Sequence, residues 1–237
     1  MNEKKMKIIG LLGGMSWEST VGYYRAINEG VKKSLGGLHS AQIAMYSVDF
    51  APIEKLQQAG DWDGTAKILA RAASGIEAAG ADCLLICTNT MHKVADTIAA
   101  AIGIPLLHIA DATAEVLVAK GIKTVGLLGT AFTMEEDFYK GRLSDNFGLK
   151  VLVPDDTDRQ LVHRVIYQEL CLGRTESASK AEFLRIMGGL AAAGAEGIIL
   201  GCTEIGMLVN QIDTPIPLYD TTAIHAAKAV AFALGSD

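Results

Sequence analysis

A chain of 237 residues with 50% hydrophobic and 20% charged residues holds ample apolar material for a packed core, as one large or two small domains. Its net charge of −6 and its scattered basic residues exclude a cationic footprint for nucleic acid. The charged start, residues 1–7, and the short glycine-rich stretch behind it do not read as a secretory signal, and no apolar run approaches membrane-spanning length. Of the four cysteines (Cys83, Cys87, Cys171, Cys202), three lie in or beside apolar runs. They read as reduced thiols of a cytoplasmic protein, not as a disulfide framework.

Residues 6–12 read as a buried strand, which Gly13-Gly14-Met15-Ser16 turns into a helix from Trp17 toward Leu35. A second strand, 42–48, runs into the loop Asp49-Phe50-Ala51-Pro52. A helix over 63–79 ends at Gly80. A third strand, 82–87, ends in Cys87-Thr88-Asn89-Thr90, followed by a helix over 91–101 and a short strand over 105–108. A helix over 111–120 takes Asp111 as its cap. The strand 124–128 ends at Gly129-Thr130-Ala131-Phe132-Thr133. Helix 134–146, strand 149–153, helices 157–171 and 176–193, strand 197–201, strand 216–219 and helix 221–234 complete the chain. Strands that alternate with helices and are apolar on both faces imply parallel sheets covered on both sides, an α/β class.

The chain also repeats itself once. Ile9-Gly10-Leu11-Leu12-Gly13 matches Val125-Gly126-Leu127-Leu128-Gly129, and Ile104-Pro105-Leu106 matches Ile216-Pro217-Leu218. Thr88 falls opposite Cys202 when the strands before them are aligned on Ala81-Asp82 and Ala195-Glu196. Matches in one order at nearly constant spacing imply two pseudo-symmetric α/β halves. We assign residues 1–103 with part of 216–237 to the first and 104–215 to the second. In open α/β sheets ligands bind beyond the carboxyl ends of strands, so Thr88 and Cys202 are expected at one cleft between the halves.

Cys202 is the candidate base. A thiol near a helix start and backbone donors can have its pKa lowered, which supplies thiolate near neutral pH; the plain alternative is a buried strand-end cysteine. Thr88 is a poor base but can donate a proton, and otherwise reads as a helix N-cap. Cys87, its neighbour, should face the core, because successive strand residues point to opposite faces. Met15, Ser16, Asn89, Thr90, Thr130, Thr133 and Thr203 offer donors for a substrate carboxylate, and Glu204 could orient Cys202 or be a solvated cap. His92 reads as an ordinary helix-start residue; His39, His108, His163 and His225 carry no signal. Cys83 and Cys87 do not have metal-knuckle spacing, so no metal is expected. Gly10-Leu11-Leu12-Gly13-Gly14 does not meet the GxGxxG pattern, which excludes a nicotinamide cofactor.

These pieces resemble the aspartate/glutamate racemase family: residues 9–20, Asn89-Thr90-Met91-His92, and Gly201-Cys202-Thr203-Glu204-Ile205. The resemblance spans almost the whole chain. It implies a cofactor-independent, cytoplasmic, usually dimeric amino-acid racemase of two α/β halves, with the small amino-acid substrate between two catalytic residues. Family members use a cysteine pair; here Thr88 replaces the first, which is closest to the subgroup with a Thr/Cys pair. By resemblance Cys202 would deprotonate the L enantiomer and Thr88 would return a proton, directly or through water. Many relatives place an arginine in the loop after the second strand and a lysine at the position of Leu172, and those cations would hold a side-chain carboxylate. Their replacement widens the implied substrates from aspartate and glutamate to other amino acids. Hydantoin racemases, maleate isomerases and catalytically weak amino-acid-binding proteins carry related patterns.

Overall fold

The computed structural model describes residues 5–235. It divides into two compact units, one comprising the chain up to residue 109 together with residues from 225 onward, the other residues 110–224.

The first unit is built on β1 (Ile9–Gly13), β2 (Ile43–Ser47) and β3 (Cys83–Ile86), all parallel, in the order β2-β1-β3. Every residue of β1 and β3 is buried, which explains why their sequences are apolar without alternation. One face packs on Tyr23, Ile27 and Val31 of α1 (Trp17–Leu35) and on Ala226, Ala229 and Val230 of the C-terminal helix. The other face, with Leu12, Leu84 and Ile86, packs on Leu69, Ala73 and Ile76 of α3 (Trp62–Ala78). Each fully buried aliphatic side chain contributes about 1.5–3 kcal/mol of transfer free energy, so the two faces carry most of the unit's stability. Gly14, at φ +94°, makes the turn after β1, where a Cβ would meet the Val48 carbonyl at 2.2 Å. The turn therefore requires glycine on both conformational and steric grounds.

The second unit repeats the winding. β4 (Thr124–Gly129), β5 (Lys150–Leu152), β6 (Ile198–Gly201) and β7 (Leu218–Asp220) pair in parallel in the order β5-β4-β6-β7. In the first unit the position of β7 is taken by a single parallel bridge between Leu84 and Leu106. The strand expected over 105–108 is thus reduced to one bridge. The core of the second unit gathers Val162, Val165 and Ile166 from α8 (Asp156–Gln168) and Phe183, Ile186, Met187 and Leu190 from α9 (Ser177–Ala192).

Elsewhere the elements differ from expectation for identifiable reasons. The loop expected over 49–52 is loop only at Asp49: α2 (Phe50–Gln58) starts directly after it, with Asp49 accepting from Ala51 N at 3.3 Å. Pro52 lies in its first turn, where a missing N–H costs nothing. The helix expected over 91–101 opens as a 3₁₀ turn, Thr90–Val94, and continues as α4 (Ala95–Ala100). Asp111 is not a cap. It sits inside α5 (Ile109–Ala119), where its carboxylate takes two hydrogen bonds from Arg142, at 2.5 and 2.7 Å. The helix expected over 134–146 is two, α6 (Ala131–Glu135) and α7 (Asp137–Phe147), broken where Glu136 is extended. The four-residue α10 (Ile205–Leu208) and α11 (Thr221–Leu234) complete the set. Among the described residues no helix is long and apolar enough to cross a membrane.

Candidate functional site

In the first unit the candidate residues stand at the carboxyl ends of neighbouring strands. Met15 and Ser16 follow β1, and Thr88, Asn89 and Thr90 follow β3; all five are buried. Ser16 caps α1, its hydroxyl accepting from Ser19 N at 3.3 Å. Ser19 in turn donates from Oγ to the Cys87 carbonyl at 2.9 Å, and Cys87 N donates to Leu12 O at 2.9 Å. The loop after β1 and the end of β3 are therefore tied together immediately before Thr88. Cys87 lies in the core, where burial pushes its thiol far above its ordinary value. Thr88 does not cap the turn that follows it: Asn89 occupies that position and makes no side-chain cap bond.

Behind Thr88 stands a cluster with no counterpart in the sequence reading. His92 Nδ1 lies 2.8 Å from the Thr88 carbonyl, and its Nε2 accepts from Ile109 N at 3.2 Å. The His92 ring packs against His108, with ring centres 4.5 Å apart, and against His225, at 5.9 Å. His225 Nε2 donates to the Leu107 carbonyl at 2.7 Å, and its Nδ1 accepts from the Tyr23 hydroxyl at 2.8 Å. Burial lowers the pKa of both rings. That of His225 falls from 6.5 to about 4; that of His92 lies well below 6.5, with the positive charge that His108 and His225 can carry adding to the effect. No spacing pattern announces this cluster, because its members come from four separate places in the chain.

In the second unit Thr130 and Thr133 follow β4, and Cys202, Thr203 and Glu204 follow the adjacent β6. Gly129 and Gly201 face each other across the ladder, and a Cβ on Gly129 would stand 2.8 Å from the Gly201 carbonyl. Only glycine lets the two strand ends approach this closely. Thr130 caps α6 by accepting from Thr133 N at 3.3 Å, and its hydroxyl lies 3.2 Å from that of Thr133. Ala131 N donates to His163 Nδ1 at 3.1 Å.

Cys202 does not have the environment expected from its place before a helix. Its Sγ donates to Glu204 Oε2 at 3.0 Å, and Thr203 Oγ1 donates to the same oxygen at 2.6 Å. Cys171 points at the other oxygen, Sγ to Oε1 at 3.9 Å. Burial first, and the Glu204 carboxylate second, raise the Cys202 thiol well above its ordinary value. The resting residue is a thiol hydrogen-bonded to a buried carboxylate, not a free thiolate. The four-residue helix that follows supplies too little dipole to offset this. Cys171 is the other group that the sequence reading missed.

The first unit thus gathers Met15, Ser16, Thr88, Asn89 and Thr90, and the second gathers Thr130, Thr133, Cys202, Thr203 and Glu204. A cavity of about 480 Å³ beside β2, lined by Asp49, Pro52 and Arg71 among others, contains none of these residues. Among the described residues no three His, Cys, Asp or Glu side chains are grouped so as to hold a metal ion.

Comparison with known proteins finds matches over nearly the whole chain. The family model for Asp/Glu/Hydantoin racemase matches residues 12–229. The broad specificity amino-acid racemase RacX of Bacillus subtilis is 25% identical over 227 residues, 94% of this chain and 96% of its own. Among solved structures, a candidate Asp/Glu racemase from Yersinia pestis is 57% identical at a TM-score of 0.90, covering 97% of this chain and 100% of its own. An aspartate racemase homologue from Pyrococcus horikoshii OT3 is 35% identical at a TM-score of 0.83, covering 96% and 99%.

Proposed function

The chain belongs to the Asp/Glu/Hydantoin racemase family, and we propose that it interconverts the enantiomers of an amino acid without a cofactor, moving the α-proton between Cys202 and the Thr88 side. The observation that carries this reading is the equivalence of the two strand ends. Two parallel sheets of the same winding each end their central pair of strands in small polar residues, and Thr88 and Cys202 stand at the matched points. The similarity to RacX and to the aspartate racemase homologue supports an amino-acid substrate.

In this mechanism backbone and hydroxyl donors at Ser16, Asn89, Thr90, Thr130, Thr133 and Thr203 hold the α-carboxylate, and Met15 lines the substrate. Such preorganised donors stabilise the charge that develops when the α-proton leaves. Cys202 begins as a thiol. It serves at once as the acid that protonates the carbanion on its face. To serve as the base it first passes its proton to Glu204, 3.0 Å away, and then removes the α-proton as thiolate. Thr88 returns a proton on the opposite face from its hydroxyl or from a water that it orients, and solvent restores it. A threonine is a far poorer base than a thiolate, so the α-proton exchanges faster from the L enantiomer than from the D, while inversion in the two directions stays tied by an equilibrium constant of one. We place the enzyme in the cytoplasm, where its four free cysteines stay reduced, as a homodimer.

The test is a chiral assay in D₂O across the common amino acids, with a hydantoin and maleate in parallel. The reading expects α-deuterium uptake that is fast from one enantiomer, slow from the other, and lost in Cys202→Ser. Equal rates from both enantiomers, or turnover only of hydantoin or maleate, would refute it. Tight amino-acid binding without any exchange would favour a binding protein.

A further inference from the structure

We propose that His92 is a positioning residue that holds the Thr88–Asn89 peptide in its working orientation; the inference rests on the role given to Thr88 above. The two contacts of the ring assign its proton. A backbone carbonyl only accepts and a backbone N–H only donates. Nδ1, 2.8 Å from the Thr88 carbonyl, therefore carries the hydrogen, and Nε2, 3.2 Å from Ile109 N, is bare. His92 is a neutral Nδ1–H imidazole bridging the loop after β3 to the first residue of α5. Both nitrogens are committed, and the ring is buried against His108 and His225.

The consequence for the site follows from peptide planarity. A carbonyl and the N–H of the same trans peptide point in opposite directions. Turning the Thr88 carbonyl toward His92 turns the Asn89 N–H away from it. Thr88 is then gripped on both sides, its own carbonyl by His92 and the Cys87 carbonyl by Ser19 at 2.9 Å. Releasing the first grip frees the dihedral angles that aim the Thr88 hydroxyl and the Asn89 N–H. It leaves Cys202, in the other unit, untouched.

That separation makes the idea testable. Exchange of the α-proton without inversion uses Cys202 as its only proton-transfer group, with the carboxylate held by donors on six residues of which Asn89 is one, whereas inversion also needs Thr88. Asparagine places an amide nitrogen near the position of Nδ1 and keeps the donor to Thr88. Glutamine reaches the position of Nε2 and keeps only the contact with Ile109. With L-aspartate, or the L-amino acid that the wild type exchanges fastest, His92→Gln is expected to lose roughly 10- to 100-fold in inversion, as for other small misplacements of a reacting group. Its exchange without inversion should fall much less, by no more than about threefold, because five other residues still hold the carboxylate, and His92→Asn should keep inversion within about threefold of wild type. Long-range ¹H–¹⁵N spectra of the wild type should show His92 protonated at Nδ1 only. A ring protonated at Nε2, equal losses of inversion in the two variants, or exchange falling in step with inversion in His92→Gln would each overturn the proposal. A wild type that exchanges no amino-acid α-proton would overturn the function proposed above and this inference with it. A wild type that racemises while both variants fail alike would overturn this inference alone.

Discussion

Acid should weaken the first unit through His225. Its ring is fully buried between Tyr23 of α1, His92 of the 3₁₀ turn, and the Leu107 carbonyl, with no carboxylate among these partners to stabilise an imidazolium. Burial lowers its pKa from 6.5 to about 4. As the pH falls below 6.5 the unfolded chain takes up a proton that the folded chain refuses, so stability declines until about pH 4 and then levels off. The full contribution is present above pH 6.5; over this window about 3 kcal/mol is lost from His225 alone. His92, shifted in the same direction, steepens the decline. Urea unfolding at a series of pH values between 7 and 4 measures it. In His225→Gln the side-chain amide can still donate to Leu107 while the titration is gone. That variant is expected to be less stable at pH 7 and to lose less on acidification. A variant with the same pH dependence as the wild type would refute the assignment.

Three further outcomes are expected. Thr88→Cys should raise α-proton exchange from the poorly used enantiomer by tenfold or more, because a thiol is a far better base than a hydroxyl; an unchanged ratio between enantiomers would count against Thr88 facing the substrate. Site-resolved iodoacetamide labelling near pH 7 should find Cys202 slower than the more exposed Cys171, and Glu204→Gln should speed Cys202, since the carboxylate helps to raise its pKa; no acceleration would show that burial alone controls the thiol. Trp17, Val21, Tyr24 and Met45 expose an apolar patch along α1 and the edge strand β2, the face on which we expect the homodimer to form. Tyr24→Glu should then give a monomer by light scattering, and a wild type that is itself monomeric would remove the basis of that expectation.

Much of the architecture was legible because burial on both faces leaves a plain mark. β1, β3, β4 and β6 read as uninterrupted apolar runs, and the small residues after them marked the strand ends. What escaped reading depended on partners distant in the chain. His225 meets Tyr23 across 202 residues and Leu107 across 118, and no local pattern encodes either contact. His92 looked like a helix-start residue because its two bonds go to backbone atoms, which have no sequence signature. Asp111 looked like a cap because the Arg142 that claims it lies 31 residues away. The helix α2 was hidden by Pro52, a breaker in most positions that is harmless in a first turn.

The Cys202 environment is a different kind of miss. The expectation of a lowered pKa weighed a helix start and backbone donors, while Glu204, two residues away, stood in plain view. Its carboxylate opposes a thiolate, and burial of both groups strengthens the opposition. The same carboxylate accepts the thiol's hydrogen bond at 3.0 Å, which makes it the acceptor for the proton that Cys202 gives up in the proposed reaction. A racemase needs each catalytic group in two protonation states in turn, as acid for one enantiomer and as base for the other. In the proposed reaction a thiol parked on a carboxylate suits that alternation: the pair holds one proton and one negative charge, and moving the proton from sulfur to oxygen moves the charge from oxygen to sulfur, which a substrate ammonium group nearer the sulfur would favour.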